Sequence, residues 1–149
     1  MNTNKNSYII IYSAVLVVIV AFLLAYIFQA LKPMQDVNVA LDKKKQILAA
    51  LNIRELGDVE SAEKYKEVVK ADMIVDANAQ VIEAGEQGGE KAAFKLNSAD
   101  YKAGKLAVYV CEVDGKTKYV IPVYGMGLWG PIWGYISLDE DKNTVFGAY

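Results

Sequence analysis

The chain has 149 residues, 16 Lys+Arg against 18 Asp+Glu, no histidine and one cysteine. A net charge of −2 gives no field to draw a nucleic acid, and no Lys/Arg-rich run with interleaved aromatics is present. Without histidine there is no Ser-His-Asp triad, no Cys-His pair and no HExxH metal site. The single Cys111 excludes an internal disulfide and a multi-thiolate zinc centre.

From the N-terminus, no side chain between Lys5 and Lys32 is charged. Tyr8 to Leu31 is an apolar run of about 24 residues, which as a helix reaches roughly 36 Å against ~30 Å of hydrocarbon. A backbone in lipid must satisfy its own hydrogen bonds, so the run is expected to be one membrane-spanning helix with Tyr8, Tyr12, Tyr26 and Phe28 toward its ends. The run is too long for a signal-peptide core and lacks a small-x-small cleavage site, and only Ser13 and Gln29 interrupt it, which argues against a buried core helix. Lys32, Lys43, Lys44 and Lys45 outnumber Lys5, which leans toward a cytoplasmic C-terminal part. Asp36 and Asp42 among them weaken that argument.

Pro33 predicts a break or kink. Gln35 to Leu51 reads as a packing helix, with Val37, Ala40, Leu41, Lys44, Ile47, Leu48 and Leu51 near one face. A second helix is expected from Ser61 to Lys70, with Ser61 as N-cap. Met73–Val75 and Gln80–Glu83 read as short strands around an Asp76–Ala79 turn. Gly85–Glu90 and Asn97–Gly104 read as loops. Leu106 to Tyr124 carries two β-rich runs around Asp114-Gly115, a hairpin pair, and Pro122 predicts that the second run is an edge or ends there. Trp133–Leu138 and Thr144–Tyr149 are expected as further strands, joined by an Asp139–Asn143 turn. The whole is an α+β domain behind one transmembrane helix. A last strand ending in Val145-Phe146-Gly147-Ala148-Tyr149 would leave an open apolar edge, from which poor folding is expected.

Gly125 to Gly134 is the most unusual segment. Gly125, Gly127 and Gly130 formally match GxGxxG, but Pro131, Trp133 and Gly134 oppose the helix that a dinucleotide site needs, and no βαβ unit surrounds them. Two readings stay open. One is a glycine-permissive turn with Trp129 and Trp133 filling the core. The other is a platform where glycines let backbone approach a flat cofactor and Leu128 and Trp129 supply apolar surface.

The stretch Tyr119 to Leu138 resembles the GxGLW region of the C subunits of the Na⁺-translocating NADH:quinone oxidoreductases (Na⁺-NQR), most specifically at Gly127-Leu128-Trp129 after Ile121-Pro122. The layout, one span, a helix like Lys44 to Asn52, then an α+β domain, extends the resemblance over nearly the whole chain. It implies an antiparallel-sheet FMN-binding-type domain in an electron-relay subunit of a translocase that oxidises NADH, reduces quinone and exports Na⁺. It implies FMN held through a threonine phosphoester, the other subunits of the complex and membrane lipid as partners, and a place in the bacterial inner membrane. The N-terminus (1–7) would be cytoplasmic, 8–31 transmembrane, 32–60 a connecting helix and linker, and 61–149 the periplasmic flavin domain. Gly127, Leu128, Trp129 and Gly130 are the candidate cofactor-binding residues.

The S/T-G-A-T attachment motif of that family is absent, since none of Thr3, Thr117 and Thr144 has its context. In the family the motif lies beyond the point where this chain stops, so the chain is expected to be the N-terminal portion of such a subunit, without covalent FMN. Two alternatives stand beside this reading. One is the G subunit of the Rnf ferredoxin:NAD⁺ oxidoreductase, against which the Leu128-Trp129 pair speaks. The other is a membrane-tethered binding or scaffold module without a cofactor.

Overall fold

The structure, a computed structural model, describes residues 6–149, so that Lys5 and most of the stretch expected to be cytoplasmic lie outside the described residues. The chain divides into two compact units, with the boundary between Ala40 and Leu41.

The first unit is made by α1 (Asn6–Ala50) up to that boundary, and the helix is apolar on every side from Tyr8 to Leu31. It is the one helix among the described residues that is long and apolar enough to cross a bilayer. Its Tyr8 and Tyr12 rings stack at 6.3 Å. The expected break at Pro33 does not occur, and the helix runs through it. An interior proline removes one donor from the ladder and crowds the carbonyl four residues before it, which strains a helix without necessarily ending it.

The second unit begins with the last turns of α1. Ile47, Leu48, Ala50 and Leu51 are buried there, on the face expected from their spacing. The helix closes with Asn52 at φ 61°, and the Ile53 N–H bonds the Leu48 carbonyl at 2.9 Å, a left-handed cap that asparagine tolerates. α2 (Asp58–Val68) starts before the expected Ser61. Its cap is Gly57, whose N–H donates to Glu60 Oε2 at 3.1 Å, with Asp58 and Glu60 facing the positive helix end. Ser61 is buried inside the helix and donates to the Leu56 carbonyl.

Six antiparallel strands follow, β1 (Val69–Val75), β2 (Val81–Glu83), β3 (Leu106–Val113), β4 (Lys116–Met126), β5 (Pro131–Leu138) and β6 (Val145–Ala148), in the order β2-β1-β3-β4-β5-β6. The two short strands thus join the same sheet as the four that follow. A short helix α3 (Ser98–Lys102) replaces the loop expected there, because Asn97 accepts the Ala99 and Asp100 N–H groups while Asp100 returns a bond to the Asn97 N–H. The core joins the end of α1 and Tyr65 and Val68 of α2 to Val69, Ala107, Tyr109, Cys111, Val120 and Tyr135 of the sheet.

The 84–97 loop is organised by Asp72, fully buried on β1. Its carboxylate accepts the N–H groups of Glu86 at 3.2 Å, Ala92 at 2.6 Å and Phe94 at 3.2 Å.

The last strand is the edge expected of it, with Val145 exposed, but two of its outward carbonyls are bonded. The carbonyls of Phe146 and Ala148 accept from Asn52 Nδ2 at 3.0 Å and from the Arg54 guanidinium at 3.3 Å, so side chains of the segment after α1 cap part of the edge. Behind this contact the buried Ser137 hydroxyl donates to the Ala50 carbonyl at 2.6 Å. Gly147 lies so close to the Ala50 carbonyl that no Cβ could stand there.

Candidate functional site

β4 and β5 pair in unbroken register from Tyr119↔Leu138 to Met126↔Pro131. β3 accompanies β4 only as far as Tyr109↔Val120. Pro122, two residues on, has no N–H to offer a neighbour on that side. The expectation at Pro122 is therefore modified: the strand neither ends there nor is an edge throughout, but becomes one beyond Val120. The β4–β5 hairpin then projects as a two-stranded ribbon.

At the tip, the Gly127 N–H donates to the Gly130 carbonyl at 2.8 Å. Gly130 sits at φ 149°, which side-chain-bearing residues rarely adopt, and a Cβ on Gly127 would run into the Ile132 side chain. A concavity of about 340 Å³ opens at the turn, lined by Gly127, Leu128, Trp129, Gly130, Pro131 and Ile132. The four candidate residues are thus brought together on one turn. Leu128 is 91% exposed and Trp129 96% exposed. Neither tryptophan fills the core, since Trp133 is also exposed, and the core-filling reading of this segment fails because β4 and β5 outrun the sheet that would cover their ends. Trp133 instead leans edge-on against buried Tyr135 with ring centroids 6.4 Å apart, and Tyr135 stands in turn against buried Tyr109 at 6.5 Å.

From Tyr119 to Leu138 the hairpin carries no Lys, Arg, Asp or Glu. At its base Lys118 pairs with Asp139, and the Lys118 ammonium lies 4.0 Å from the Phe146 ring centroid. Beyond it Asp141 holds the 139–144 turn. The Thr144 hydroxyl and the Asn143 and Thr144 N–H groups bind its carboxylate and draw its pKa down to about 2. Cys111 is no nucleophile, because burial pushes its thiol up to about 12. Among the described residues no three His, Cys, Asp or Glu side chains group as metal ligands. No general acid or base stands among the residues that line the turn.

Tyr124, Met126 and Ile132, all strongly exposed around the tip, are not among the residues expected at the site. The alternation of β4 and β5 is the signal that could have found them: with no sheet beside them, both faces of the ribbon are open. A second concavity, of about 270 Å³, lies beside Gln46, Arg54 and Tyr149, and the buried Gln46 Oε1 has no partner among the described residues.

No family model matches the chain. Among curated proteins, the C subunit of the Na(+)-translocating NADH-quinone reductase of Haemophilus ducreyi is 31% identical over 132 residues, covering 78% of this chain and 51% of that protein. The Pseudomonas aeruginosa protein of the same name is 31% identical over 146 residues, covering 80% and 54%. The crystal structure of the corresponding C subunit from Parabacteroides distasonis matches with a TM-score of 0.70 at 37% identity, over 79% of this chain and 56% of that one. The chain spans about half the length of the curated relatives it matches. Over that half, sequence and fold agree, and the chain belongs to the C-subunit family of the Na⁺-translocating NADH-quinone reductases.

Proposed function

We propose that the chain supplies the membrane anchor and part of the flavin wall of an electron-relay subunit, in a complex that oxidises NADH, reduces quinone and exports Na⁺. The observation that carries this reading is the uncharged turn Gly127–Gly130: at Gly125 and Gly130 a Cβ would meet nothing within 4 Å, so the backbone there is bare enough for a planar ring to approach.

FMN fits this site in part. The isoalloxazine face suits the glycine backbone with Leu128, Trp129 and Ile132 around it. The phosphate has no counterpart, because the hairpin carries no cation from Tyr119 to Leu138 and no S/T-G-A-T sequence occurs in the chain. Thr144, the threonine nearest the hairpin base, already gives its hydroxyl to Asp141 at 2.5 Å. Bound FMN would supply the electron exchange. The residues here would position the ring at the tip and shield one side of it from water. The other subunits of the complex are the proposed partners, with the N-terminus cytoplasmic and 61–149 on the periplasmic side of the inner membrane.

The test is a titration of the full chain, in detergent, with FMN and with riboflavin, followed by quenching of tryptophan emission. Because the site engages the ring and not the phosphate, the two flavins are expected to bind with the same affinity within about threefold, a difference of less than ~1 kcal/mol. Absence of saturable quenching by either would refute the flavin wall. Strong preference for FMN would mean that a phosphate site exists elsewhere on the chain.

A further inference from the structure

Three aromatic rings form a line from the β4–β5 ribbon into the core. Trp133 and Tyr135 stand two residues apart on β5 and so share one face of the sheet. Their rings meet edge-on, with centroids 6.4 Å apart and planes at 87°. Tyr135 meets Tyr109 of β3 in the same manner, at 6.5 Å and 68°. Both contacts have the geometry that aromatic pairs prefer. Indole and phenol are among the side chains most easily oxidised by one electron. At neutral pH a phenoxyl radical lies below an indolyl radical, provided that the phenolic proton can leave. The two tyrosines differ in that proviso. Tyr109 is fully buried, and its hydroxyl has no partner among the described residues. A proton released there has no acceptor, and burial holds the phenol in its neutral form. Tyr135 keeps 5% of its surface open, and the Asp42 carboxylate stands near enough to disfavour the phenolate, so an acceptor for a departing proton is at hand.

We propose that Trp133 and Tyr135 form a one-electron relay that carries an oxidising equivalent from the ribbon into the sheet and ends at Tyr135, with Tyr109 behind it taking no part. A one-electron oxidant at the ribbon, a flavin or an inorganic radical, takes one electron from Trp133, and the indole N–H proton goes to water. Tyr135 then passes one electron to the indolyl radical. Its hydroxyl proton leaves toward Asp42, and water returns a proton to the indole nitrogen. The net result is an oxidant reduced by one electron, an intact Trp133, a phenoxyl radical on Tyr135 and one proton released. The relay goes beyond the flavin wall and does not depend on it. All of its contacts lie within the second unit, and a chain that binds no flavin would still carry it.

The test uses the full chain in detergent with Trp129→Phe as the background, which leaves Trp133 as the single indole. Azidyl radical made by pulse radiolysis oxidises indoles in preference to phenols at neutral pH, and transient absorption follows the indolyl and phenoxyl radicals separately. The relay predicts an indolyl signal that decays in first order, independent of protein concentration, while the phenoxyl signal rises at the same rate. Tyr135→Phe keeps the ring and its contacts but has no hydroxyl to oxidise, and is expected to slow the decay at least about tenfold. Tyr109→Phe, which removes only an unpartnered hydroxyl, is expected to leave the decay unchanged. Far-UV circular dichroism checks that each variant is folded. Should Tyr135→Phe unfold, Asp42→Asn at an exposed position is the second variant: it removes the proton acceptor and is expected to slow the transfer and enlarge its solvent isotope effect. An unchanged rate in folded Tyr135→Phe, or in Asp42→Asn, overturns the relay. So does a rate proportional to protein concentration, which would mean transfer between molecules. Loss of the phenoxyl rise in Tyr109→Phe overturns Tyr135 as the end point.

Discussion

Ser137 is the point where the strand carrying the candidate turn is fastened to the end of α1. Its hydroxyl is fully buried, donates to the Ala50 carbonyl at 2.6 Å and lies 3.2 Å from the Gly147 carbonyl. The Ala50 carbonyl belongs to the last turn of a helix and has no intrahelical partner. Ser137→Ala removes the donor and leaves that acceptor buried, which costs about 1–3 kcal/mol. For a unit of this size that corresponds to a fall in melting temperature of roughly 4–15 °C. Urea unfolding of the full chain in detergent, followed by circular dichroism and by tryptophan emission, reads this directly, because both tryptophans lie in the second unit. Asn52→Ala, which uncaps the Phe146 carbonyl on an exposed edge, is expected to cost less, about 0.5–1 kcal/mol. The double variant is expected to fall short of the sum, since both bonds hold the same segment against β5 and β6. A Ser137→Ala midpoint equal to that of the parent would refute the reasoning.

Asp72→Asn keeps the shape of the side chain but loses its charge and turns an amide group toward one of three N–H donors. The expected cost is about 2–4 kcal/mol, with faster hydrogen exchange at Glu86, whose N–H alone faces Oδ1. Lys43 is lowered to about 8, chiefly by desolvation, with the Asp72 carboxylate opposing the shift. The unfolded state then binds more protons than the folded one between about pH 8 and pH 10.5, so this lysine makes stability rise with pH across that window, and its penalty is complete below pH 8. The stability of the parent minus that of Lys43→Met should therefore climb by on the order of 1 kcal/mol over those pH values, after allowance for partial exposure, and a flat difference would show the ammonium to be solvated. Gly127→Ala places a methyl against the flexible end of Ile132. It should leave the melting temperature within about 4 °C while weakening riboflavin binding in the quenching titration.

Much of this architecture is legible in the residues, and the exceptions share one cause. The span, the Asp114-Gly115 hairpin and the buried stripe Lys44, Ile47, Leu48, Leu51 are local patterns whose period or turn chemistry survives any context. The clustering of Gly127, Leu128, Trp129 and Gly130 on one turn is legible for the same reason. Pro33 and Pro122 read as stops, yet each removes one donor at a place where the loss is tolerable, and only the neighbours of the chain decide that. Ser61 looks like a cap because serine usually is one, but Gly57 and Glu60 close the helix first. Trp129 and Trp133 are candidates for the core because large indoles usually bury. Their exposure follows from where β3 stops, a fact about pairing between segments that no window along the chain contains. The capping of β6 by Asn52 and Arg54, each 94 residues away in sequence from the carbonyl it binds, is invisible in the same way.

The projecting ribbon itself makes a prediction. Among the described residues, Val123 to Met126 and Pro131 to Trp133 pair with each other and with no third strand. A two-stranded ribbon is marginal in water, and this one exposes apolar side chains on both faces. Its opening free energy should therefore lie far below that of the sheet. Amides of Val123 to Met126 are expected to exchange much faster than those of Val110 and Val120 in detergent, and to slow specifically when the chain is saturated with riboflavin, while Val110 and Val120 do not change. Equal protection of ribbon and sheet before any addition would mean that the hairpin is rigid by itself. Its exposed apolar side chains would then cost the ribbon none of its order.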